Sequence, residues 1–308
     1  MVPPHDRRRA VFSAVGRRSG SALGFSEAAS HAIVDVLDCE VLVPDLVRLL
    51  PSLRVRLSKL LAPGARLQAV ATATETGVDL LLEGDLALDL GAREILAELA
   101  ASTDLARLSW RQPGRTAEPI AERRTPIVRF DGIPAELPPG TFLQASRAGE
   151  AALIAAVRDG VGAAARIVDL HAGIGTFSLP LAQAARVQAV EGDAESVRAL
   201  SRSAAARAGR LSVERRDLAR DPPDPASLAG VDAVVFDPPR AGARAVAEVL
   251  ASARVPAAVA VSCNPATFAR DARILIDGGY RLRSVRPIDQ FLWSPHVELV
   301  AHFRREAP

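Results

Sequence analysis

The second half of the chain alternates short apolar runs with helical stretches, and this alternation constrains the fold more than any other feature. Residues 166–170, 187–191, 211–217, 232–237 and 257–263 read as strands. Residues 176–185, 194–208, 243–253 and 265–278 read as helices between and after them. The unbroken apolar run at 257–261 suits a strand covered on both faces. Strand–helix alternation at this spacing predicts a doubly wound parallel α/β sheet. Two more strands, 280–288 and 297–304, close the chain. Sheets of this kind collect ligands at the carboxyl ends of their strands.

The first part reads differently. A strand is expected at 10–15, followed by Phe25-Ser26-Glu27. Leu46, Leu49, Leu50, Leu53, Leu57, Leu60 and Leu61 lie on one face of a helix over 44–61, which Pro63-Gly64 ends. Strands at 67–74 and 78–84 should form a hairpin across Glu75-Thr76-Gly77, and a second helix is expected at 91–101. Residues 112–139 are rich in proline, glycine and charge. The predicted organisation is therefore a smaller α+β domain at 1–140 and a doubly wound, alternating α/β domain at 141–308.

Composition excludes several classes. No stretch approaches the roughly 18 uninterrupted apolar residues of a membrane span. The basic residues Arg7, Arg8, Arg9, Arg17 and Arg18 precede no apolar segment, so residues 1–24 do not read as a secretory signal. A cytoplasmic location is expected, where a thiol stays reduced. Cys39 and Cys263 are the only cysteines, too few for a four-thiolate site, so no metal and no iron–sulfur cluster are expected. A net charge of +2 makes the whole molecule no general polyanion binder. Lys59 is the single lysine among 38 cationic side chains. Arginine forks suit phosphate, although a GC-rich genome accounts for the same bias.

Four groups of residues carry candidate chemistry. The first is Asp169-Leu170-His171-Ala172-Gly173-Ile174-Gly175-Thr176-Phe177, a strand running into a glycine turn and then a helix. Gly173 and Gly175 allow backbone to approach a ligand. Glu191, 22 positions after Asp169 at the next strand end, is placed to accept hydrogen bonds from two ribose hydroxyls; otherwise it is a solvated strand-end acid. Ser178 occupies the third glycine position of a dinucleotide fingerprint, which disfavours a nicotinamide cofactor and a pyrophosphate. S-adenosylmethionine, with a ribose and an amino-acid tail, fits better. Asp217 is then placed to face its adenine, or is an ordinary loop acid.

The second group is Asp237-Pro238-Pro239-Arg240, whose prolines stiffen the backbone around Asp237. The third is Ser262-Cys263-Asn264-Pro265. Free cysteine is usually buried and inert, but Cys263 ends a strand ahead of a proline-initiated helix, a setting expected to lower a thiol pKa. The fourth is Asp289-Gln290-Phe291 with His296-Val297-Glu298. Glu298 opens an apolar strand and should be desolvated enough to act as a base.

In this order, together with Phe142-Leu143-Gln144, these pieces resemble the S-adenosylmethionine-dependent RNA (uracil-5-)-methyltransferases of ribosomal and transfer RNA. The resemblance covers residues 140–308. It implies a class I methyltransferase Rossmann-like domain with Cys263 as nucleophile and Glu298 as base. It puts cofactor contacts on Gln144, His171, Thr176, Glu191, Asp217 and Asp237. His171 stands where the family usually has Tyr or Phe. Residues 1–140 resemble the family's central RNA-facing domain, with Arg7, Arg8, Arg9, Arg123, Arg124 and Arg240 as candidate phosphate contacts, and Phe291 or Trp293 is placed to stack on the target base. Many members add an N-terminal β-barrel and four iron–sulfur cysteines. This chain lacks both and reads as a short or N-terminally truncated form. The implied function is methylation of a uridine carbon 5 in structured RNA, 23S rRNA first and tRNA second, by a monomeric enzyme. The alternatives are methylation of an amine acceptor and non-catalytic RNA binding.

Overall fold

The computed structural model describes residues 2–27, 30, 32–206 and 209–305. The chain packs as two compact units. One comprises Pro3–Val128 and Leu137–Arg147. The other comprises Met1–Val2, Arg129–Glu136 and Ala148–Pro308. The chain thus passes between them several times around the proline-rich segment.

The first unit holds β1 (Arg9–Arg17), β2 (Gly20–Ser26), β3 (Ile33–Asp35), α1 (Pro44–Leu60), β4 (Arg66–Thr74), β5 (Gly77–Gly84), α2 (Leu90–Ser102), β6 (Arg107–Arg111) and β7 (Glu118–Glu122). Its sheet runs β3-β2-β1-β4-β5-β6-β7. The β4–β5 hairpin forms across Thr74 and Gly77 as the turn residues predict. Leu46, Leu49, Leu50, Leu53 and Leu57 of α1 are buried, as their spacing requires. Pro44 opens that helix, and Pro51 sits inside it at an exposed position. Strands β3, β6 and β7 have no counterpart in the sequence pattern. In β6 the cause is visible: Arg107 is buried, and its Nε donates to Asp79 at 2.8 Å while Nη2 donates to the Leu137 carbonyl at 2.7 Å. A charge satisfied from other strands reads locally as a surface residue.

The remaining elements are β8 (Ile127–Phe130), β9 (Ile133–Glu136), α3 (Arg147–Val161), β10 (Arg166–Leu170), α4 (Ser178–Leu181), β11 (Arg186–Glu191), α5 (Ala194–Ala205), β12 (Leu211–Arg215), β13 (Ala233–Phe236), α6 (Arg244–Ser252), β14 (Ala257–Ser262), α7 (Pro265–Asp277), β15 (Tyr280–Ile288) and β16 (Glu298–Arg305). The second large sheet runs β12-β11-β10-β13-β14-β16-β15. Strands β10 to β14 are parallel, as expected. β16 enters antiparallel between β14 and β15, so the sheet is mixed rather than wholly parallel. This inversion matters for the site, because the start of β16 lies at the edge where the parallel strands end.

Two helices differ from expectation. Of the helix expected at 176–185 only a single turn, α4, is regular. Pro180 has no N–H for the Thr176 carbonyl, and Gly175 at φ +102° turns the preceding backbone away from the helical region. α3 is an unanticipated 15-residue helix whose apolar stripe is diluted by alanine. Its Gly160 allows close packing on the sheet, since a Cβ there would lie 2.6 Å from His302 and 2.7 Å from Val259. α5 begins on the Asp193 cap, which accepts from Ser196 N–H at 2.8 Å. Residues 207 and 208 of the helix expected at 194–208 lie outside the described residues. Among the described residues no helix is long and apolar enough to cross a membrane.

Candidate active site

The ends of β10, β11, β13 and β14 and the start of β16 bring His171, Gly173, Thr176, Glu191, Asp237, Cys263 and Glu298 to one edge of one sheet. Gln144 lies in the other compact unit, where its carbonyl accepts from Arg8 Nε at 3.4 Å. Asp217 is not at a strand end, because β12 stops at Arg215. It is exposed and caps a turn through Ala219 N–H at 3.1 Å.

The glycine turn is built from its backbone. His171 has φ +63°, Gly173 +56° and Gly175 +102°. A Cβ on Gly173 would meet nothing within 4 Å, so the space above it is open. A Cβ on Gly175 would strike Leu200 at 2.6 Å and Leu179 at 2.8 Å, so this glycine serves packing. Glu191 Oε2 accepts from Gly173 N–H at 2.9 Å and Oε1 from Asp193 N–H at 2.8 Å. The carboxylate therefore holds the turn, and each oxygen retains a lone pair for hydroxyl donors. Beneath the turn, the buried Asp169 accepts from Ser178 Oγ at 2.5 Å, while its other oxygen has no partner. Ser178 is thus occupied within the loop. Since α4 is only four residues long, the open backbone at Gly173 and the carboxylates, rather than a helix terminus, are the groups here that suit a ligand.

Cys263 and Glu298 come together through register. β14 and β16 pair with Ser262 opposite Leu299. The ladder ends there: Cys263 follows Ser262 in a bend and Glu298 precedes Leu299 as the first residue of β16, close enough for its charge to act on the thiol. Asn264 caps α7, accepting from Ala266 N–H at 3.0 Å, and its Nδ2 donates to the Arg240 carbonyl at 3.1 Å. The Cys263 turn is thereby tied to the turn after Asp237.

The electrostatics are dominated by buried acids. Loss of water pushes the Asp237 carboxyl up to about 8, with Glu298 and then Asp169 adding to the effect. Burial pushes Asp169 up to about 7 against the hydrogen bonds of Ser178. Glu298, 3% exposed, is pushed by burial up to about 6, opposed by a hydrogen bond from Gln290 and by the charge of Arg240. The Cys263 thiol is raised by burial, then by Glu298 and Asp237, with Arg240 opposing. This corrects the expectation from the helix terminus: burial first, and then the acids of two other strands, outweigh it. Burial likewise lowers the His171 imidazole despite Glu191 and Asp217.

Gln290 belongs to the Asp289-Gln290-Phe291 group, but the sequence assigned it no role. It lies two residues beyond Ile288, the partner of Glu298 across β15 and β16, and that offset is the signal. Replacing Gln290 by Leu should remove the donor that favours the Glu298 carboxylate. The acid limb of the rate profile is then expected to move above about 6. An unmoved limb would show that Glu298 does not set it.

Asp237 supports a prediction about stability. Its folded value of about 8 exceeds the ordinary 3.8. Stability from this group is complete below about pH 4 and is lost as pH rises through about 8. Asp237→Asn should therefore raise the melting temperature of the ligand-free protein by roughly 4 °C near pH 8 and leave it almost unchanged near pH 4. Equal shifts at both pH values would contradict a protonated Asp237.

The candidate phosphate contacts divide. Arg8 is 2% exposed and holds the Gln144 carbonyl, so it is structural. Arg7 Nε donates to the Arg9 carbonyl, and Arg123 and Arg124 both pair with Asp104. Arg240 is exposed beside the thiol and Glu298.

An open backbone turn, a carboxylate for hydroxyls and a desolvated acidic edge suit a ribose-bearing cation such as S-adenosylmethionine. A thiol near a raised carboxyl is the kind of pair that can supply a nucleophile and a base. Comparison with known proteins decides the family. The chain is 46% identical over 301 residues to an uncharacterized RNA methyltransferase of Brucella suis, covering 97% of this chain and 71% of that protein. It is 33% identical over 309 residues to the 23S rRNA (uracil(1939)-C(5))-methyltransferase RlmD of Shewanella piezotolerans, covering 98% and 69%.

The chain belongs to the S-adenosylmethionine-dependent RNA (uracil-5-)-methyltransferase family.

No protein-family profile matches it. Among solved structures, the tRNA (uracil-54, C5)-methyltransferase of Pyrococcus abyssi in complex with S-adenosyl-L-homocysteine superposes with a TM-score of 0.77. It is 22% identical, over 98% of this chain and 76% of that one, and supports the class I methyltransferase fold. As a member of this family the chain is an RNA methyltransferase that uses S-adenosylmethionine.

Proposed function

We propose that this enzyme methylates carbon 5 of a uridine in structured RNA through a covalent adduct on Cys263, with 23S rRNA as the first candidate substrate and tRNA as the second. The observation that supports this reading is the pairing of the end of β14 with the start of β16, which leaves the Cys263 thiol within the electrostatic reach of Glu298, a buried carboxyl raised to about 6. The names of the relatives support uracil carbon 5 as the acceptor.

Carbon 5 of uracil is a weak nucleophile. The Cys263 thiolate adds to carbon 6, and the displaced electron pair makes carbon 5 enolate-like. The bound cofactor supplies an electrophilic methyl group on sulfur. Once carbon 5 carries the methyl, the Glu298 carboxylate removes its remaining proton. The electrons of that C–H bond restore the 5,6 double bond and expel Cys263 as thiolate. Asp237, Glu191, Gly173, His171 and Thr176 hold the cofactor at the strand ends, with Gln144 and Asp217 as further contacts. A target base must leave its stack to reach such an edge. Residues 1–140 act as the RNA-facing domain. The reading includes a monomer working in the cytoplasm, where Cys263 stays reduced.

The test is methyl transfer from labelled S-adenosylmethionine into unmodified 23S rRNA and tRNA transcripts, followed by nucleoside analysis. Label in 5-methyluridine is the expected result. Label in a methylated amine would replace this reading with an amine methyltransferase.

A further inference from the structure

The nine-residue connection from Ile288 to Glu298 carries a second recognition element. Its ends are paired with each other, Ile288 opposite Glu298, so the loop rises directly from the edge that holds the candidate base. A turn closes its middle, with Ser294 N–H donating to the Phe291 carbonyl at 3.1 Å. Asp289 Oδ1 accepts from Phe291 N–H at 3.2 Å, and Ser294 Oγ from His296 N–H at 3.2 Å. The two aromatic residues of the loop do different things. Phe291 is half-buried and meets the His296 ring edge-on at 6.1 Å. Trp293 is 75% exposed.

Trp293 also has φ +58°, in the left-handed region where glycine or asparagine would be at ease. A large indole there is unfavourable twice over, through backbone strain and through exposed apolar surface. Such strain concentrates at ligand clamps. Five residues of chain limit the separation of Trp293 from Glu298 to roughly 18 Å. That limit keeps Trp293 within reach of the nucleotides next to a base held at Glu298. The strand that feeds the loop, β15, presents Arg281, Arg283 and Arg286 at exposed positions, a charge pattern that complements an RNA backbone.

We propose that Trp293 is a stacking platform for a nucleobase flanking the target uridine, with Phe291 bracing the turn that presents it. The inference rests on the proposed RNA methylation. Stacking on an exposed aromatic is tolerant of base identity, so Trp293 would strengthen binding more than it selects sequence.

The test compares Trp293→Phe, Trp293→Ala and Trp293→Gly, using unmodified 23S rRNA and tRNA transcripts as probes. Trp293→Ala and Trp293→Gly are expected to raise KM for the RNA about tenfold with little change in kcat, and Trp293→Phe to recover most of the loss. Trp293→Gly relieves the positive φ, so it should melt higher than wild type while binding RNA more weakly; a merely structural tryptophan would not separate the two effects. Fluorescence gives an independent readout. The other tryptophan, Trp110, is 3% exposed, so iodide quenching of the free protein reports on Trp293. Bound RNA should shield it. RNA that is bound and methylated while Trp293 stays open to iodide would overturn the stacking role and leave the methylation reading standing. Wild-type protein that neither binds nor methylates either RNA would overturn both.

Discussion

Replacing Cys263 by alanine is expected to lower methyl transfer to RNA by on the order of ten-thousandfold or more, while S-adenosylmethionine binding stays near the wild-type value. The size follows from the chemistry. Without the thiolate, carbon 5 of the uracil never gains enolate character. Cofactor binding is spared because Glu191 and the Gly173 turn lie on β10 and β11, separated from β14 by β13. The change should even lighten the electrostatic load, since the thiol sits among Glu298 and Asp237. Methylation that persists in Cys263→Ala would refute the nucleophile and favour direct transfer to an amine, which needs none.

Glu298→Gln is the second large effect. Addition of Cys263 and methylation of carbon 5 do not require Glu298, whereas removal of the carbon 5 proton does. The variant should therefore lose about a hundredfold to ten-thousandfold in turnover and accumulate RNA joined to Cys263, seen as a band retained on a denaturing gel. The structure explains how a carboxyl at this position can serve: burial raises it to about 6, high enough to be basic and low enough to be ionised near neutrality. Free RNA released by a slow Glu298→Gln variant would assign the proton removal elsewhere.

Much of the second unit was legible because its strands are nearly pure apolar runs. β10 and β15 begin and end where the pattern places them, and β14 differs by one residue. The mixed direction of the sheet was not legible, because strand direction at β16 is set by its partners and not by its residues. α3 escaped because alanine and glycine weaken a helical stripe, and α4 was overcalled because Pro180 acts on a bond four residues back. At the site, the residue types pointed to the chemistry, but the direction of the thiol shift did not follow from local context. Burial by the assembled fold raises Cys263 most, and the acids that add to it are Glu298, 35 positions later, and Asp237, 26 positions earlier. Only pairing across β13, β14 and β16 brings them together. The role of Gln290 escaped for the same reason, since its partner Glu298 arrives through the β15–β16 ladder.

The central claim is that Cys263 forms a covalent bond with the uracil being methylated. The most direct measurement is incubation of the protein with 5-fluorouridine-substituted RNA and S-adenosylmethionine, followed by protease digestion and mass analysis of the cross-linked peptide. Fluorine on carbon 5 cannot leave as a proton does, so elimination is blocked after methyl transfer. The account predicts a stable adduct on the peptide containing Cys263, carrying one methyl group, with the RNA segment around the target uridine attached. Full transfer of methyl groups to that RNA with no protein adduct, or an adduct on Cys39, would contradict it.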